Sequence, residues 1–138
     1  PSAEGGPPSK LRRRFLIADD NVDSAESLAM WLELKGGEVQ TASDGAEALE
    51  RARTFRPDVV LLDIGMPVLD GYETCRRLRA EPWGREMAVF AMTGWGQEED
   101  IRQSRLAGFD EHLVKPLHHE RLEKLLASYA PELGRRAG

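Results

Sequence analysis

Apolar positions along the chain follow two alternating rhythms. Short continuous runs occur at Phe15-Leu16-Ile17-Ala18, Val59-Val60-Leu61-Leu62 and Met87 to Met92. Their length and branched composition suit strands buried on both faces. Between them, apolar residues recur at steps of three and four, the period of a helix with one buried face. Ala25, Leu28, Ala29 and Leu32 share such a face after Asp23, and Gly36-Gly37 stops it. Asp44 and Glu47 have the form of a capping box, opening a helix through Ala48, Leu49 and Ala52 that Pro57 ends. Asp70-Gly71 starts another, carrying Tyr72, Cys75 and Leu78 and closed by Glu81-Pro82. Gln97 to Asp100 puts acid at the positive end of a fourth helix, which Gly108 terminates. Ile101 and Ala107 are nearly all the apolar face that helix offers, so it is expected to be held less firmly than its neighbours. Glu38 to Ala42 and Glu111 to Val114 read as shorter strands. Leu117, Leu122, Leu125, Leu126 and Tyr129 mark a closing helix, with Ala130 to Gly138 expected as a frayed end.

Strand and helix thus alternate five times, with no hairpin signal such as Asn-Gly between strands. This order predicts an α/β fold: a parallel sheet with helices on both faces, joined by right-handed crossovers. In such a sheet all strand carboxyl ends share one edge, where ligands bind. Asp19-Asp20, Asp63, Thr93 and Lys115 each sit just beyond a strand, so the fold gathers them on that edge.

Composition narrows the picture. The 138 residues suit one domain, and 19 Lys+Arg against 24 Asp+Glu give a net charge of -5, which argues against a nucleic-acid-binding surface. No apolar run approaches the ~20 residues of a membrane helix, and no signal peptide is visible. One cysteine, Cys75, cannot form an internal disulfide and fits a reducing cytoplasm. The first nine residues have linker composition, with three Pro and two Gly. The chain begins at Pro1 without Met and is read as a piece of a longer protein.

Three carboxylates converging on one crevice repel unless a cation sits among them, and hard oxygen ligands suit Mg²⁺. Lys115 offers a point charge and Thr93 a hydroxyl, both matched to phosphoryl oxygens. Asp63 can then act as a nucleophile that carries a phosphoryl group as an acyl phosphate. A haloacid-dehalogenase-type phosphatase also uses such an aspartate, but expects a second Asp two residues later, where Gly65 stands. The length also leaves no room for a cap domain.

Between Phe15 and about Tyr129 the sequence resembles the receiver domains of two-component response regulators. The resemblance rests on Asp19-Asp20, Asp63-Ile64-Gly65-Met66-Pro67 with Asp70-Gly71, Thr93-Gly94 and Lys115-Pro116. Asp20 precedes Asp63 by 43 residues, Asp63 precedes Thr93 by 30, and Thr93 precedes Lys115 by 22, separations that match the family. It implies a flavodoxin-like (βα)5 doubly wound fold with strand order 2-1-3-4-5. The divisions are a flexible linker at 1–13, the receiver at 14–130 and a tail at 131–138.

The resemblance implies that Asp63 is the phosphoacceptor, with Thr93 and Lys115 contacting the phosphoryl group. Asp20, Asp63 and the Gly65 carbonyl would bind Mg²⁺ directly, Asp19 would act largely through water, and the Lys115-Pro116 bond would be cis. The implied donor is a phosphohistidine on a histidine kinase or histidine phosphotransfer domain, and the domain would promote its own dephosphorylation. The implied switch joins Thr93 to an aromatic residue three before the lysine. That position holds His112, read either as the switch residue or as an edge residue. Gly65 and Trp95 stand where the family flanks the path of the attacking water; Trp95 either shields that water or serves a partner contact. The linker-like start, Gly65 and the Thr93-Gly94-Trp95-Gly96 loop look similar to the receiver of a hybrid sensor histidine kinase. The alternatives are a stand-alone single-domain regulator and a pseudo-receiver that binds partners without phosphorylation. A homodimer through the helix from Gln97 stays open. The adjacent His118-His119 pair is not expected to ligate a metal.

Overall fold

The computed structural model describes residues 13–66, 68–94 and 98–137. The elements alternate as β1 (Arg14–Ala18), α1 (Val22–Leu34), β2 (Glu38–Ala42), α2 (Gly45–Phe55), β3 (Val59–Asp63) and α3 (Gly71–Ala80). A 3-10 turn at Pro82–Gly84 follows, then β4 (Ala88–Thr93), α4 (Glu98–Ala107), β5 (Glu111–Val114) and α5 (His119–Ala137). All pairings are parallel and the strand order is β2-β1-β3-β4-β5, as expected.

β3 and β4 are buried along their whole length, which is why they read as unbroken apolar runs. Alternate residues feed two cores. Phe15, Ile17, Leu61 and Phe90 pack with Leu28 and Leu32 of α1 and Leu122 and Leu126 of α5. Leu16, Val60, Leu62 and Val89 pack with Ala48 and Ala52 of α2, Cys75 and Leu78 of α3, Ala107 and Phe109.

Capping follows the sequence closely. Asp44 accepts from the Glu47 amide at 2.8 Å, and Glu47 accepts from the Ser43 amide at 2.7 Å, completing the capping box. Asp70 caps α3 by accepting from the Glu73 amide at 2.9 Å. Two boundaries differ from expectation. α1 begins at Val22, one residue before Asp23, because the Asn21 side chain accepts from the Ser24 amide at 3.0 Å. The backbone of α5 continues to Ala137, where a frayed end was expected beyond Tyr129. Strong helix formers at Ala130, Glu132, Leu133 and Arg135 outweigh Pro131 there.

α4 has the thin packing its sequence implied. Ser104 and Ala107 are buried, while Leu106 is exposed. Its carboxyl end is nevertheless fixed. Gly108 adopts φ 105°, and its carbonyl accepts from the Arg79 Nε at 2.9 Å. The Arg79 guanidinium also donates to the carbonyls of Gly84 (3.0 Å), Arg85 (3.1 Å) and Met87 (2.7 Å) and to Asp110 Oδ2 (2.8 Å). Asp110 Oδ2 also accepts from the Val89 amide at 2.8 Å. One cation thus ties α3, the 3-10 turn, β4 and the end of α4 together at the amino edge of the sheet.

Candidate functional site: an acidic pocket at the strand carboxyl ends

The opposite edge carries the chemistry. Asp19 and Asp20 follow β1 and Lys115 follows β5, while Asp63 and Thr93 are the last residues of β3 and β4, and the parallel register aligns these ends. One carboxylate oxygen from each of Asp19, Asp20 and Asp63 lies within 4.8 Å of the others. Lys115 Nζ donates to Asp19 Oδ2 at 3.0 Å and stands 3.4 Å from Asp63 Oδ2, bridging the two acids. Backbone amides hold both carboxylates in place: Asn21 N donates to Asp19 Oδ1 at 3.0 Å, and Gly65 N to Asp63 Oδ1 at 3.2 Å. Lys115 is itself positioned by its amide, which donates to the Thr93 carbonyl at 2.7 Å, and the Lys115-Pro116 bond is cis.

Burial decides the electrostatics. Asp63 is pushed above the usual aspartate range mainly by loss of water, with the neighbouring Asp19 adding to the effect; Lys115 and the Gly65 amide only partly offset it. For Lys115, burial acts to lower the pKa, but the hydrogen bond to Asp19 and the charges of Asp19 and Asp63 outweigh it, so the ammonium is held more firmly than usual. The site therefore contains more negative charge than one lysine neutralises. A small divalent cation fits that donor set: oxygen ligands from three converging carboxylates, one of them reluctant to ionise without it.

Space around the acceptor is uneven. A Cβ on Gly71 would lie 2.7 Å from the Ile64 Cα and 2.8 Å from the Asp63 carbonyl, so the start of α3 packs directly against the end of β3 and only Gly fits. Among the described residues, a Cβ on Gly65 would meet nothing within 4 Å. Thr93 is buried at the end of β4. Its diagonal neighbour on β5 is His112, paired in register with Ala91 and half-buried. Trp95, assigned to the water path, lies outside the described residues, as does Pro67 of the acceptor loop. His119 stacks on Trp31 with ring centroids 4.5 Å apart. Sequence reasoning missed Ser104, whose hydroxyl lies 2.9 Å from His112 Nδ1, because a lone serine in a helix gives no signal. It also missed Arg79, whose partners are mostly carbonyls and leave no side-chain pattern to find.

The sequence profile of the response regulator receiver domain matches residues 15–127. The chain belongs to this family. As a receiver domain of two-component signalling, it is 44% identical over 103 residues to the transcriptional regulatory protein PrrA of Mycobacterium leprae, covering 75% of this chain and 43% of that protein. It is 37% identical over 125 residues to the response regulator MprA of Mycobacterium sp. (strain KMS), covering 88% of this chain and 54% of the relative. The receiver domain thus spans about half the length of these curated relatives. Among solved structures it superimposes on chemotaxis protein CheY4 of Vibrio cholerae with a TM-score of 0.80, at 31% identity over 83% of this chain and 96% of that one. It superimposes with a TM-score of 0.79 on the receiver domain of sensor histidine kinase PA1611 from Pseudomonas aeruginosa, at 29% identity over 86% of this chain and 98% of that one. That structure is described with a magnesium ion coordinated in its active-site cleft. Among the described residues, no helix of this receiver domain is long and apolar enough to cross a membrane.

Proposed function

We propose that Asp63 accepts a phosphoryl group from a phosphohistidine of a histidine kinase or histidine phosphotransfer domain. An Asp63 carboxylate oxygen attacks phosphorus, the P–N bond breaks, and its electron pair returns to the imidazole, which takes up a proton. The product is an acyl phosphate. Water then attacks phosphorus, the bond from phosphorus to the Asp63 oxygen breaks, and inorganic phosphate leaves with the carboxylate restored. Asp20, Asp63 and the Gly65 carbonyl would hold Mg²⁺, with Asp19 acting through water, and the ion would supply charge neutralisation at the phosphoryl oxygens. Lys115 moves its ammonium from the two carboxylates to a phosphoryl oxygen, and the Thr93 hydroxyl donates to another.

The observation that carries this reading is the Lys115 bridge. A firmly protonated lysine 3.0 Å from Asp19 and 3.4 Å from Asp63 is a preformed counter-charge for an anion arriving at Asp63. The test is incubation with acetyl phosphate and Mg²⁺, followed by intact-mass measurement. One added phosphoryl group is expected, labile to hydroxylamine and absent from Asp63→Asn. No adduct in the wild-type protein would overturn the reading in favour of a pseudo-receiver. An adduct that survives in Asp63→Asn would overturn the assignment of the acceptor.

The wider setting we propose is the receiver of a hybrid sensor histidine kinase in the cytoplasm, supported by the likeness to the PA1611 receiver domain. A regulator without a kinase core is the second reading, favoured by the higher identity to PrrA. The sequence encoded before Pro1 separates them: a kinase core there supports the first, and its absence supports the second.

A further inference from the structure

A cavity of about 540 Å³ opens between the start of α1 and the turn that joins β5 to α5. Its size is in the range of pockets that hold small organic ligands. The floor is the core itself: Ile17 and Met92 are 0% and 1% exposed, and both border the cavity, with Leu28 of α1 beside them. Pro116 and Leu117 extend the apolar surface on one side. The other side is the first turns of α1, which contribute Asp23, Ser24 and Ser27. His119 lies at the rim, and its stack on Trp31 holds that part of the wall in place.

Charge decides what the cavity can take. Lys115 also lines it, but its ammonium is engaged by Asp19 and Asp63. Asp23 is different. It lies outside the acidic cluster of Asp19, Asp20 and Asp63, is exposed in the first turn of α1, and has no ion pair among the described residues. The Ser24 and Ser27 hydroxyls beside it add acceptors for an N–H donor. An apolar floor under a carboxylate and two hydroxyls matches one kind of molecule, a ring that carries an ammonium on a short arm. We propose that the cavity is a binding site for a small aromatic amine. The ring covers Ile17, Leu28 and Met92, and the ammonium donates to Asp23 and to a serine hydroxyl. An anion of the same shape meets Asp23 and Asp19 and is rejected. Asp19 and Lys115 border both this cavity and the acceptor pocket, so the amine sits beside the chemistry at Asp63 without using its groups.

The test uses three indoles that differ at the end of the arm: tryptamine, tryptophol and indole-3-acetate. Each is titrated into the whole chain with Mg²⁺ in excess, so that the acidic cluster is already neutralised, and ¹H–¹⁵N spectra are recorded. Tryptamine is expected to move the amides of Ser24, Ser27 and Leu117 with a dissociation constant on the order of 1 mM, ordinary for about a dozen non-hydrogen atoms. Tryptophol should bind about fivefold more weakly, the worth of a solvent-exposed ion pair, and indole-3-acetate more weakly still. Asp23→Asn should bring tryptamine down to the affinity of tryptophol and leave tryptophol unchanged. Ser27→Phe fills the cavity from an exposed helix position and should abolish binding of all three, with a cooperative thermal melt showing that the domain is folded. Indole-3-acetate binding as tightly as tryptamine, or a tryptamine affinity unchanged in Asp23→Asn, overturns the amine assignment. Tryptamine binding retained in folded Ser27→Phe overturns the location. No shift at these amides with any of the three overturns the site and leaves the cavity to a side chain of a protein partner.

Discussion

The two edges of the sheet solve opposite electrostatic problems with similar materials. At the amino edge, Arg79 has four carbonyls and the Asp110 carboxylate around one guanidinium. The cation and its acceptors satisfy one another within the chain, and they join segments far apart in sequence. At the carboxyl edge, three carboxylates face one lysine, and burial pushes Asp63 above its usual range. The charges there do not balance within the chain. That mismatch makes the carboxyl edge receptive to a cation, while the guanidinium at the amino edge is already engaged by carbonyls and a carboxylate.

The comparison can be broken most severely at Arg79. Arg79→Ala leaves the carbonyls and Asp110 without their cation and is expected to cost about 3 kcal/mol, measured by urea denaturation. Folded protein should still accept a phosphoryl group from acetyl phosphate. If the folded variant cannot, the two edges are coupled and the contrast fails.

A smaller effect of opposite sign is expected at Asp63. Its pKa in the folded state is raised above the unfolded value, so ionisation works against folding. Its favourable contribution is complete below the unfolded pKa and is lost as pH rises through the folded one. Without metal, Asp63→Asn should therefore be the more stable protein at neutral pH, with the gap from wild type closing as the solution is acidified. Mg²⁺ at ten times its dissociation constant should stabilise the wild type by about 1.4 kcal/mol. It should do markedly less for Asp63→Asn, as read from thermal melts. A wild type that gains nothing from Mg²⁺ would show that its charges balance without a cation.

The smallest effect on the fold is expected at Gly65, where an added Cβ meets no atom of the described residues within 4 Å. Gly65→Asn should change stability by less than about 0.5 kcal/mol. Acyl-phosphate half-life should change nonetheless, because the new side chain stands beside the acceptor. An unchanged half-life would remove Gly65 from the path of the water.

Much of this contrast was legible in the residues. The carboxyl edge could be read because β1, β3 and β4 are short apolar runs that lead directly into a polar residue, and Lys115 follows the shorter β5, so strand ends and functional groups coincide in sequence. The caps at Asp44 and Asp70 were equally visible, since their bonds span three residues. The amino edge was not legible: Arg79 acts on carbonyls as far away as Gly108, and every residue type has a carbonyl. Ser104 was hidden for a related reason. A buried hydroxyl facing a strand and an exposed one facing water look alike along a helix, and only the placement of α4 against His112 tells them apart. α5 was read too short because its last turns lack the apolar period, while the backbone follows intrinsic propensity.

The empty space at Gly65 separates timing from architecture. Most positions near Asp63 are constrained on several sides, as Gly71 is by Ile64 and the Asp63 carbonyl. Among the described residues, a side chain at Gly65 meets no neighbour, so the position can change without compensating changes in the core. If the Gly65→Asn half-life changes as expected, the duration of the response is a setting that can vary while the fold stays the same.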